Sequence, residues 1–424
     1  MTTEALTAVE MPTATTLFTR GRIARSLVHQ VVAGMPVRLL YPDGTTVGGD
    51  SCGDGDASLT LEVVRPSALY RRLEAHPKIG LGEAYMAGDW RAAPGTDLAD
   101  ALAPFAARMG SLLPKPLLAL RRIVDRALPA ATRNTLTGSR RNIEAHYDLS
   151  NDLFAAFLDP TMSYSSALFD RSRPLETQDL VEAQHRKIDT ILDSAGVGPG
   201  TRLLEIGTGW GELALRAAAR GADVLTITLS REQQGLARER IAAAGLDDRV
   251  EVALRDYREL TPATDGRFDA IVSVEMIEAV GEEYWPDYFA TIDDLLAPDG
   301  AAVVQAILMD HDRYLATRHS WGWIQKHIFP GGLIPSLDAI AEVSGRHTGL
   351  SVTHVNAFGQ DYAQTLRRWR GAFLEQWPTI EGAGFDETFR RKWEFYLAYC
   401  EAGFASGYLD VAQVTFRPSP GPRR

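Results

Sequence analysis

The chain has 424 residues, of which 45% are hydrophobic and 23% charged, a length and composition typical of a two-domain globular protein. Its net charge of −11 argues against general nucleic-acid binding, so we expect no nucleic-acid partner. Two scattered cysteines, Cys52 and Cys400, are too few for a disulfide framework or a zinc site, so we expect reduced thiols and no metal.

No N-terminal stretch combines a basic start with an apolar core, which excludes a secretory signal. No apolar run approaches the roughly 20 residues that span a bilayer. We therefore expect a cytoplasmic protein that meets a membrane only at its surface, on the inner face.

Residues 1–130 are predicted to form a smaller, mainly helical domain that contacts lipid at the membrane surface. Val37–Tyr41, followed by the turn residues Pro42-Asp43-Gly44, predicts a strand and a turn. Leu59–Val64 alternates like a second strand. A helical region follows, and we expect its glycine-containing stretch Gly80–Trp90 to be a turn-rich end.

A basic segment at 107–141 ends this region, and leucines recur in it at roughly helical spacing. Its only acidic residue is Asp125, and its basic residues are Arg108, Lys115, Arg121, Arg122, Arg126, Arg133, Arg140 and Arg141. A basic amphipathic helix is typical of a segment that lies on an anionic bilayer. A helix packed on its own domain with a solvated charged face is the alternative, and the segment alone leaves both open.

From about residue 180 the pattern changes to strands that alternate with helices, within a predicted catalytic domain at 131–424. We expect helices such as Glu212–Arg220, Arg231–Ala244 and Tyr284–Leu296. The predicted strands are Arg202–Ile206, Asp223–Thr228, Val250–Leu254, Phe268–Val274, Ala301–Ile307, Leu350–Val355 and Ala412–Phe416. Such alternation predicts an α/β fold with a parallel, doubly wound sheet covered on both faces.

A glycine-rich turn follows the first of these strands, with glycines at Gly207, Gly209 and Gly211 after the acidic Glu205. Glycines at the carboxyl end of a strand let a ligand approach the backbone. The dinucleotide fingerprint needs a third glycine where this chain has Glu212, whose charge would repel a pyrophosphate, so NAD is disfavoured. The turn instead suits a ligand with an amino-acid end and a nucleoside end; a tight turn without a ligand is the alternative.

The next two strands end in polar residues that could hold such a ligand. Thr228, Ser230 and Gln233 supply hydroxyl and amide groups where an acidic residue often binds ribose, and Gln233 is the best candidate. Alternatively, Ser230 caps a helix and Gln233 completes a capping box. Asp256 and Tyr257 could hold an adenine, or could simply form a loop.

Longer stretches of the chain carry a more specific pattern, in consistent order from about Ile143 to Phe416. They are His146–Asp152, Leu158–Ser166, Leu204–Gly211, Thr228–Gln233, Glu275–Gly281, Ile328–Ser336, Phe358–Tyr362, Trp393–Cys400 and Val411–Val414, with a weaker match at Gly82–Met86. Together they resemble the cyclopropane-fatty-acyl-phospholipid synthase family.

The resemblance implies a class I S-adenosylmethionine (SAM) methyltransferase with a Rossmann-like, seven-stranded sheet. Its members transfer a methyl group from SAM to a double bond within a phospholipid acyl chain, which leaves a carbocation. Bound bicarbonate then accepts a proton, since a fixed anion both stabilises positive charge and removes the proton. An alkene offers no hydrogen-bonding group, so recognition must rest on apolar contacts, each buried CH₂ contributing about 0.8 kcal/mol.

The resemblance also assigns site residues. Glu278 matches the glutamate that orients the bicarbonate, Tyr362 a tyrosine that binds it, and Ile307 a residue whose backbone contacts it. Tyr164 and Ser165 match residues near the methionine end of the cofactor. Without the resemblance, Glu278 would be an ordinary charge at a helix start and Tyr362 an ordinary half-buried tyrosine.

Two positions depart from the family pattern, where Ser166 stands in place of a cysteine and Gln305 in place of a histidine. Gln305 can donate a hydrogen bond but cannot become a cation, so proton handling would differ. The departures favour a 10-methylene, tuberculostearic-type acyl product, and a cyclopropane ring is the alternative. A methylene product would need a partner reductase to become a methyl branch, and a homodimer stays open.

Aromatic rings can stabilise a carbocation by about 0.5–2 kcal/mol. Trp321, Trp323, Phe329 and Trp369 are available for this role, although each is also an ordinary core residue. Two further functions stay open on the same fold: a methyltransferase for a soluble small molecule, and a lipid-surface binding protein with a degenerate methyltransferase domain.

Overall fold

The computed structural model describes residues 21–49, 59–109 and 150–419. The chain divides into two compact units, Met1–Pro104 and Phe105–Arg424. The domain boundary predicted at residue 130, and residues 110–141 of the basic segment, lie outside the described residues.

The first unit combines short helices with a small sheet. Its described helices are α1 (Arg22–Ala33), α2 (Pro66–Ala75), α3 (Pro77–Met86) and α4 (Leu98–Ala107), which extends past the unit's end; its strands are β1 (Val37–Leu40), β2 (Thr46–Gly48), β3 (Leu59–Val63) and β4 (Trp90–Ala92). The sheet has the order β2-β1-β3-β4. The two predicted strands and the turn after the first are therefore confirmed.

Gly80 and Gly82 do not form the predicted turn-rich end, because both lie inside α3. A side chain at Gly80 would collide with the main chain of Arg72 in α2. This glycine therefore permits close packing of two helices, a role that cannot be distinguished from a turn in the sequence.

The second unit contains the larger sheet. Its strands are β5 (Arg202–Ile206), β6 (Asp223–Thr228), β7 (Val250–Leu254), β8 (Phe268–Val274), β9 (Leu296–Met309), β10 (Leu350–Ala357) and β11 (Leu409–Pro418). Its described helices are α5 (Asn151–Phe157), α6 (Leu180–Ser194), α7 (Glu212–Ala219), α8 (Arg231–Ala243), α9 (Pro262–Asp265), α10 (Ile277–Val280), α11 (Trp285–Leu295), α12 (His311–Thr317), α13 (Trp323–His327), α14 (Leu337–His347), α15 (Gly359–Glu375), α16 (Trp377–Gly382) and α17 (Glu387–Ala405).

The seven strands follow the order β10-β11-β9-β8-β5-β6-β7. Neighbouring residues Leu203 and Leu204 belong to different apolar clusters, so the sheet is covered on both faces as predicted. The cluster with Leu204 includes Trp285 and Phe289 of α11, and the cluster with Leu203 includes Ala214 of α7. The seven predicted strands are confirmed, and β9 and β11 are longer than expected.

One strand departs from the expected parallel arrangement, because β11 runs antiparallel to both β9 and β10. The buried run Val411–Phe416 has the same apolar pattern in either direction, so the sequence gives no signal of the reversal. The reversal places Gln413 directly opposite Gln305 of β9.

Within 21–49, 59–109 and 150–419, no helix has the length and apolar character that crossing a bilayer requires. Cys400 is a free thiol on α17, as expected, and Cys52 lies outside the described residues.

Candidate active site

The glycine turn, residues 207–211, lies at the carboxyl end of β5 and leads into α7. Gly207 and Gly209 have φ of 101° and 51°, in the left-handed region that favours glycine. A Cβ at Gly207 would lie 2.6 Å from Cγ of Met276, whereas a Cβ at Gly209 would meet no atom within 4 Å. The backbone at Gly209 therefore borders open space that a ligand can occupy.

Glu205 lies directly before this turn and is only 3% exposed. The Thr226 hydroxyl donates a hydrogen bond of 2.6 Å to its Oε2 and lies 2.7 Å from the hydroxyl of Thr208. Burial raises the pKa of Glu205 to about 8, although the Thr226 hydrogen bond and the positive charge of Lys187 oppose this. The Glu205 carboxyl group is thus held in place by Thr226, next to the glycine turn.

Thr228, Ser230 and Gln233 are brought together at the carboxyl end of β6. The Ser230 side chain caps α8 by accepting from the Gln233 N–H at 3.2 Å. Gln233 does not complete the capping box, because its Oε1 accepts instead from the Thr228 hydroxyl at 2.8 Å. The hydroxyl therefore orients the glutamine amide at the edge of the sheet where ligands of this fold bind.

Asp256 and Tyr257 follow β7 and are both buried. The Arg258 guanidinium pairs with both carboxylate oxygens of Asp256, at 2.8 Å and 2.6 Å. The Tyr257 ring packs edge-on against Tyr288, at a centroid distance of 5.5 Å, and belongs to the core. Their geometry is that of an ordered loop, and their predicted contact with an adenine stays a prediction.

Glu278 lies on the short helix α10 after β8, with its carboxyl group buried. Its Oε1 accepts a hydrogen bond of 2.5 Å from the Ile307 N–H, so the predicted pair is in contact. Its Oε2 is buried and has no hydrogen-bond partner among the described residues. Burial, followed by the nearby charge of Glu275, raises the pKa of Glu278 to about 8.

Glu275, at the end of β8, is where most of the predicted polar residues converge. Its Oε1 accepts from the Ser166 N–H at 2.9 Å and from the Gln305 amide at 2.8 Å. Its Oε2 accepts from the Tyr362 hydroxyl at 2.6 Å. We call the six residues at this point the carboxylate centre: Ser166, Glu275, Glu278, Gln305, Ile307 and Tyr362.

The orientation of Gln305 is fixed by a residue on the reversed strand. Nε2 of Gln413 donates to Oε1 of Gln305 at 3.2 Å and to the main-chain oxygen of Lys187 at 3.2 Å. Because the Gln305 oxygen accepts this bond, its amide nitrogen is directed to Glu275.

Lys187 of α6 is a buried cation beside this centre, only 2% exposed. Its Nζ donates to the hydroxyl of Ser165 at 2.7 Å. Burial lowers the pKa of Lys187 to about 8, opposed first by the charge of Glu275. Ser165 therefore contacts a buried charge. The sequence predicts that Ser165 lies near the cofactor but does not predict this contact with Lys187.

Tyr164 lies among aromatic rings, and its hydroxyl is 2.8 Å from that of Tyr396. Its ring is 5.3 Å from the ring of Trp369 and 5.1 Å from that of Phe154. Trp369 also meets the Tyr362 ring edge-on at 6.2 Å, which connects the aromatic group to the carboxylate centre.

The other aromatic residues considered in the sequence lie in different surroundings. Phe329 packs edge-on against Tyr396 at 5.9 Å. The Trp323 ring packs against Phe395 at 4.9 Å, and Trp321 is half-buried. Trp369 thus contacts the Tyr164 ring directly, whereas Phe329 contacts Tyr396, whose hydroxyl lies 2.8 Å from that of Tyr164.

The residues fit SAM at the glycine turn, where Gly209 borders open space and the Thr228–Gln233 pair offers polar groups at the same sheet edge. They do not fit a bound bicarbonate at the carboxylate centre. The donors of Ser166, Gln305 and Tyr362 all bind Glu275, and the Ile307 N–H binds Glu278. Carboxylates of the chain thus already occupy the Tyr362 and Ile307 donors that the resemblance assigns to the anion, and the donors at the two departing positions as well.

Sequence reasoning missed Glu275, Lys187 and Gln413 as site residues. A signal existed for Lys187, because it shares the buried face of α6 with Ala183 and Ile191 at helical spacing, where a lysine is unusual. A weaker signal existed for Glu275, a charge that directly follows the buried strand β8. Gln413 gave none.

The chain is similar to known proteins along most of its length. The family model described as mycolic acid cyclopropane synthetase matches residues 134–414. The tuberculostearic acid methyltransferase of Mycobacterium tuberculosis is 50% identical over 397 residues, 93% of this chain and 90% of that protein. The cyclopropane-fatty-acyl-phospholipid synthase of Escherichia coli is 34% identical over 377 residues, 86% of this chain and 89% of that protein.

Among solved structures, a mycolic acid cyclopropane synthase complexed with SAH and CTAB is similar, with a TM-score of 0.59 and 32% identity. The similarity covers 65% of this chain and 97% of that one.

Proposed function

Because the chain belongs to the mycolic acid cyclopropane synthetase family, we propose that it methylates the double bond of unsaturated acyl chains in membrane phospholipid and forms a 10-methylene, tuberculostearic-type acyl chain. The relatives establish the broader activity: the chain is a SAM-dependent methyltransferase that acts on fatty acids. The observation that carries the proposal is the 50% identity, along 93% of the chain, to a tuberculostearic acid methyltransferase.

The cofactor site of this proposal comprises Glu205, the glycine turn and the residues at the end of β6. When bound, SAM supplies an electrophilic methyl group from its sulfonium. Glu205 and the glycine turn hold the amino-acid end, and Gln233, oriented by Thr228, holds ribose hydroxyls.

The acyl chain needs an apolar and aromatic environment, because an alkene offers no hydrogen-bonding group. The linked rings of Tyr164 and Trp369 supply such surfaces beside Tyr362 of the carboxylate centre. An aromatic face stabilises a nearby cation by about 0.5–2 kcal/mol, so these rings support a reaction that passes through a carbocation.

The methylene product is favoured by the residues at the two departures. Gln305 is held as a donor to Glu275 and cannot take up a proton, and Ser166 contributes its main-chain N–H. The groups that remove the proton from the carbocation in this chain therefore differ from those in proteins that have a cysteine and a histidine at the positions of Ser166 and Gln305. A cyclopropane product is the second candidate, favoured by the 34% identity to the Escherichia coli synthase.

This proposal implies two partners, a reductase and an anionic lipid surface. A methylene product requires a reductase that adds two hydrogens to give a methyl branch. The basic segment at 107–141 would hold the protein on anionic lipid, at about 1 kcal/mol per cation near the surface.

The test is incubation with methyl-labelled SAM and vesicles of oleoyl phosphatidylglycerol and phosphatidylethanolamine, beside soluble oleate. Both products add one CH₂ unit and have equal mass, so NMR of the extracted lipid must distinguish them. Vinylidene protons are expected, and high-field ring protons would establish the cyclopropane instead. Label in soluble oleate alone would refute the phospholipid substrate.

A further inference from the structure

We propose that Glu275 is the base of this reaction, a carboxylate of the chain that takes the place of a bound bicarbonate. The inference rests on the proposed function above and adds a catalytic residue to it. Its basis is the set of contacts at the carboxylate centre.

The first argument is the identity of the donors. The Ser166 N–H, the Gln305 amide and the Tyr362 hydroxyl converge on one carboxylate, at 2.9, 2.8 and 2.6 Å. These donors come from three separate segments of the chain, and together they form a site for an anion. The anion present is the Glu275 side chain.

The second argument is that Glu275 can accept a proton where it lies. Both donors to Oε1 are N–H groups, whereas Oε2 takes a single hydrogen bond from the part of the chain that the structure describes, and its donor is Tyr362. A carboxylate oxygen has two lone pairs, so Oε2 keeps one for the proton.

The third argument is electrostatic. Burial raises the pKa of Glu275, while the three hydrogen bonds and the positive charge of Lys187 favour its ionised form. Glu278 and Tyr362 are the other titratable groups beside it, and burial raises the pKa of both. Among the described residues, three other residues thus donate to the negative charge of Glu275, whereas one other residue, Ile307, donates to Glu278.

The fourth argument is the backbone. Glu275 has φ of 52°, one of the few positive values at a non-glycine residue in the described chain. Such a conformation costs on the order of 1 kcal/mol or more and is found most often at functional sites. The main chain is held in this conformation by a hydrogen bond of 2.8 Å from the Glu275 N–H to the main-chain oxygen of Gln305.

The reaction balances without any further reagent. The π electrons of the alkene form the bond to the methyl carbon, and the electron pair of the broken carbon–sulfur bond stays on sulfur. A hydride shift then moves the positive charge to the methylated carbon. Oε2 of Glu275 takes a proton from the new methyl group, and the C–H electron pair becomes the second bond of the methylene. The neutral acid returns its proton to solvent after the product leaves.

The test uses two variants of the full chain. Glu275→Gln keeps the shape and loses the base, so turnover should fall by at least about 100-fold while SAM affinity by calorimetry changes less than about twofold. Glu275→Gly relieves the backbone and opens a space for an anion. This variant should be inactive in bicarbonate-free buffer, and its turnover should rise by at least about tenfold when bicarbonate is added.

A binding measurement supplies a readout that does not depend on turnover. The ¹³C NMR signal of labelled bicarbonate should broaden with Glu275→Gly and stay sharp with the parent chain. Glu342→Gln, at a side chain that is 57% exposed, is the matched control for loss of one carboxylate. Thermal unfolding of each variant verifies the fold.

The inference is overturned if Glu275→Gln keeps parental turnover, or if the parent chain binds bicarbonate or loses turnover without it. It is also overturned if Glu275→Gly binds SAM but neither binds bicarbonate nor responds to it. Failure of the proposed function has a different signature, because the parent chain would then transfer no label to phospholipid acyl chains in any buffer.

Discussion

The hydroxyl of Tyr362 donates a hydrogen bond of 2.6 Å to Oε2 of Glu275, across 87 positions of sequence. The bond joins the first turn of α15 to the end of β8. It gives the carboxylate of the half-buried Glu275 its only donor at that oxygen among the described residues, so the tyrosine stabilises the negative charge of the glutamate.

Tyr362→Phe should therefore lower turnover by at least about tenfold. Loss of the donor destabilises ionised Glu275 and raises its pKa, so the acidic limb of the pH–rate profile should move to higher pH. Steady-state turnover with labelled SAM from about pH 5 to pH 9 measures both effects. Tyr399→Phe, at a residue that is 40% exposed, is the control. An unmoved profile would contradict the tuning role.

Glu278→Gln should lower turnover by at least about tenfold, because it removes an ionisable carboxyl group beside the reacting centre. SAM affinity should stay near normal.

The same substitution should raise stability in a pH-dependent way. Burial raises the pKa of Glu278 from 4.5 to about 8, so between these values the folded chain holds a proton that the unfolded chain has released. The free energy of unfolding of the parent therefore falls as pH rises through this window. The advantage of Glu278→Gln in Tm should grow over the same range in thermal melts. A constant difference in Tm would show that Glu278 is not buried in its neutral form.

Gly209→Ala should weaken SAM binding by at least about tenfold, since its methyl group would enter space that the ligand needs. The new Cβ meets no protein atom within 4 Å, so the stability cost should be limited to about 1 kcal/mol for a left-handed alanine. Gly196→Ala is a matched control, since Gly196 has φ of 72° and equally open surroundings away from the turn. Equal SAM affinity of the two variants by calorimetry would place the ligand elsewhere.

Replacement of Arg121, Arg122 and Arg126 by glutamine should weaken binding to anionic vesicles, by about 1 kcal/mol per residue at low salt. The difference should shrink as salt screens the charges. A triple variant at Arg346, Arg390 and Arg391 removes the same charge from helices α14 and α17 and should sediment with vesicles like the parent. Equal sedimentation of both triple variants would refute docking through the basic segment.

The sequence predicted the sheet well because the strands of a two-sided sheet are short apolar runs. Leu203 and Leu204 pack on opposite faces, and a continuous apolar pattern is what such burial requires. The direction of β11 has no such signature. The role of Gly80 was misjudged because helix packing and turns both favour glycine.

The site was predicted in part. Glu278, Ile307 and Tyr362 were singled out, and each lies in the carboxylate centre. Their mutual arrangement was not predictable, because it depends on Glu275, whose importance arises from a left-handed backbone and from donors 109 and 87 positions away. Neither feature leaves a local pattern in the sequence.

The separation of these donors has a consequence for the order of folding. The glycine turn and Thr226 lie within one strand–helix–strand unit, whose contacts are local and cost little loop-closure entropy. The shell around Glu275 closes only when α15 and the segment of Ser166 have both docked. We therefore expect a partly folded chain to lack the carboxylate centre even where the glycine turn has already formed.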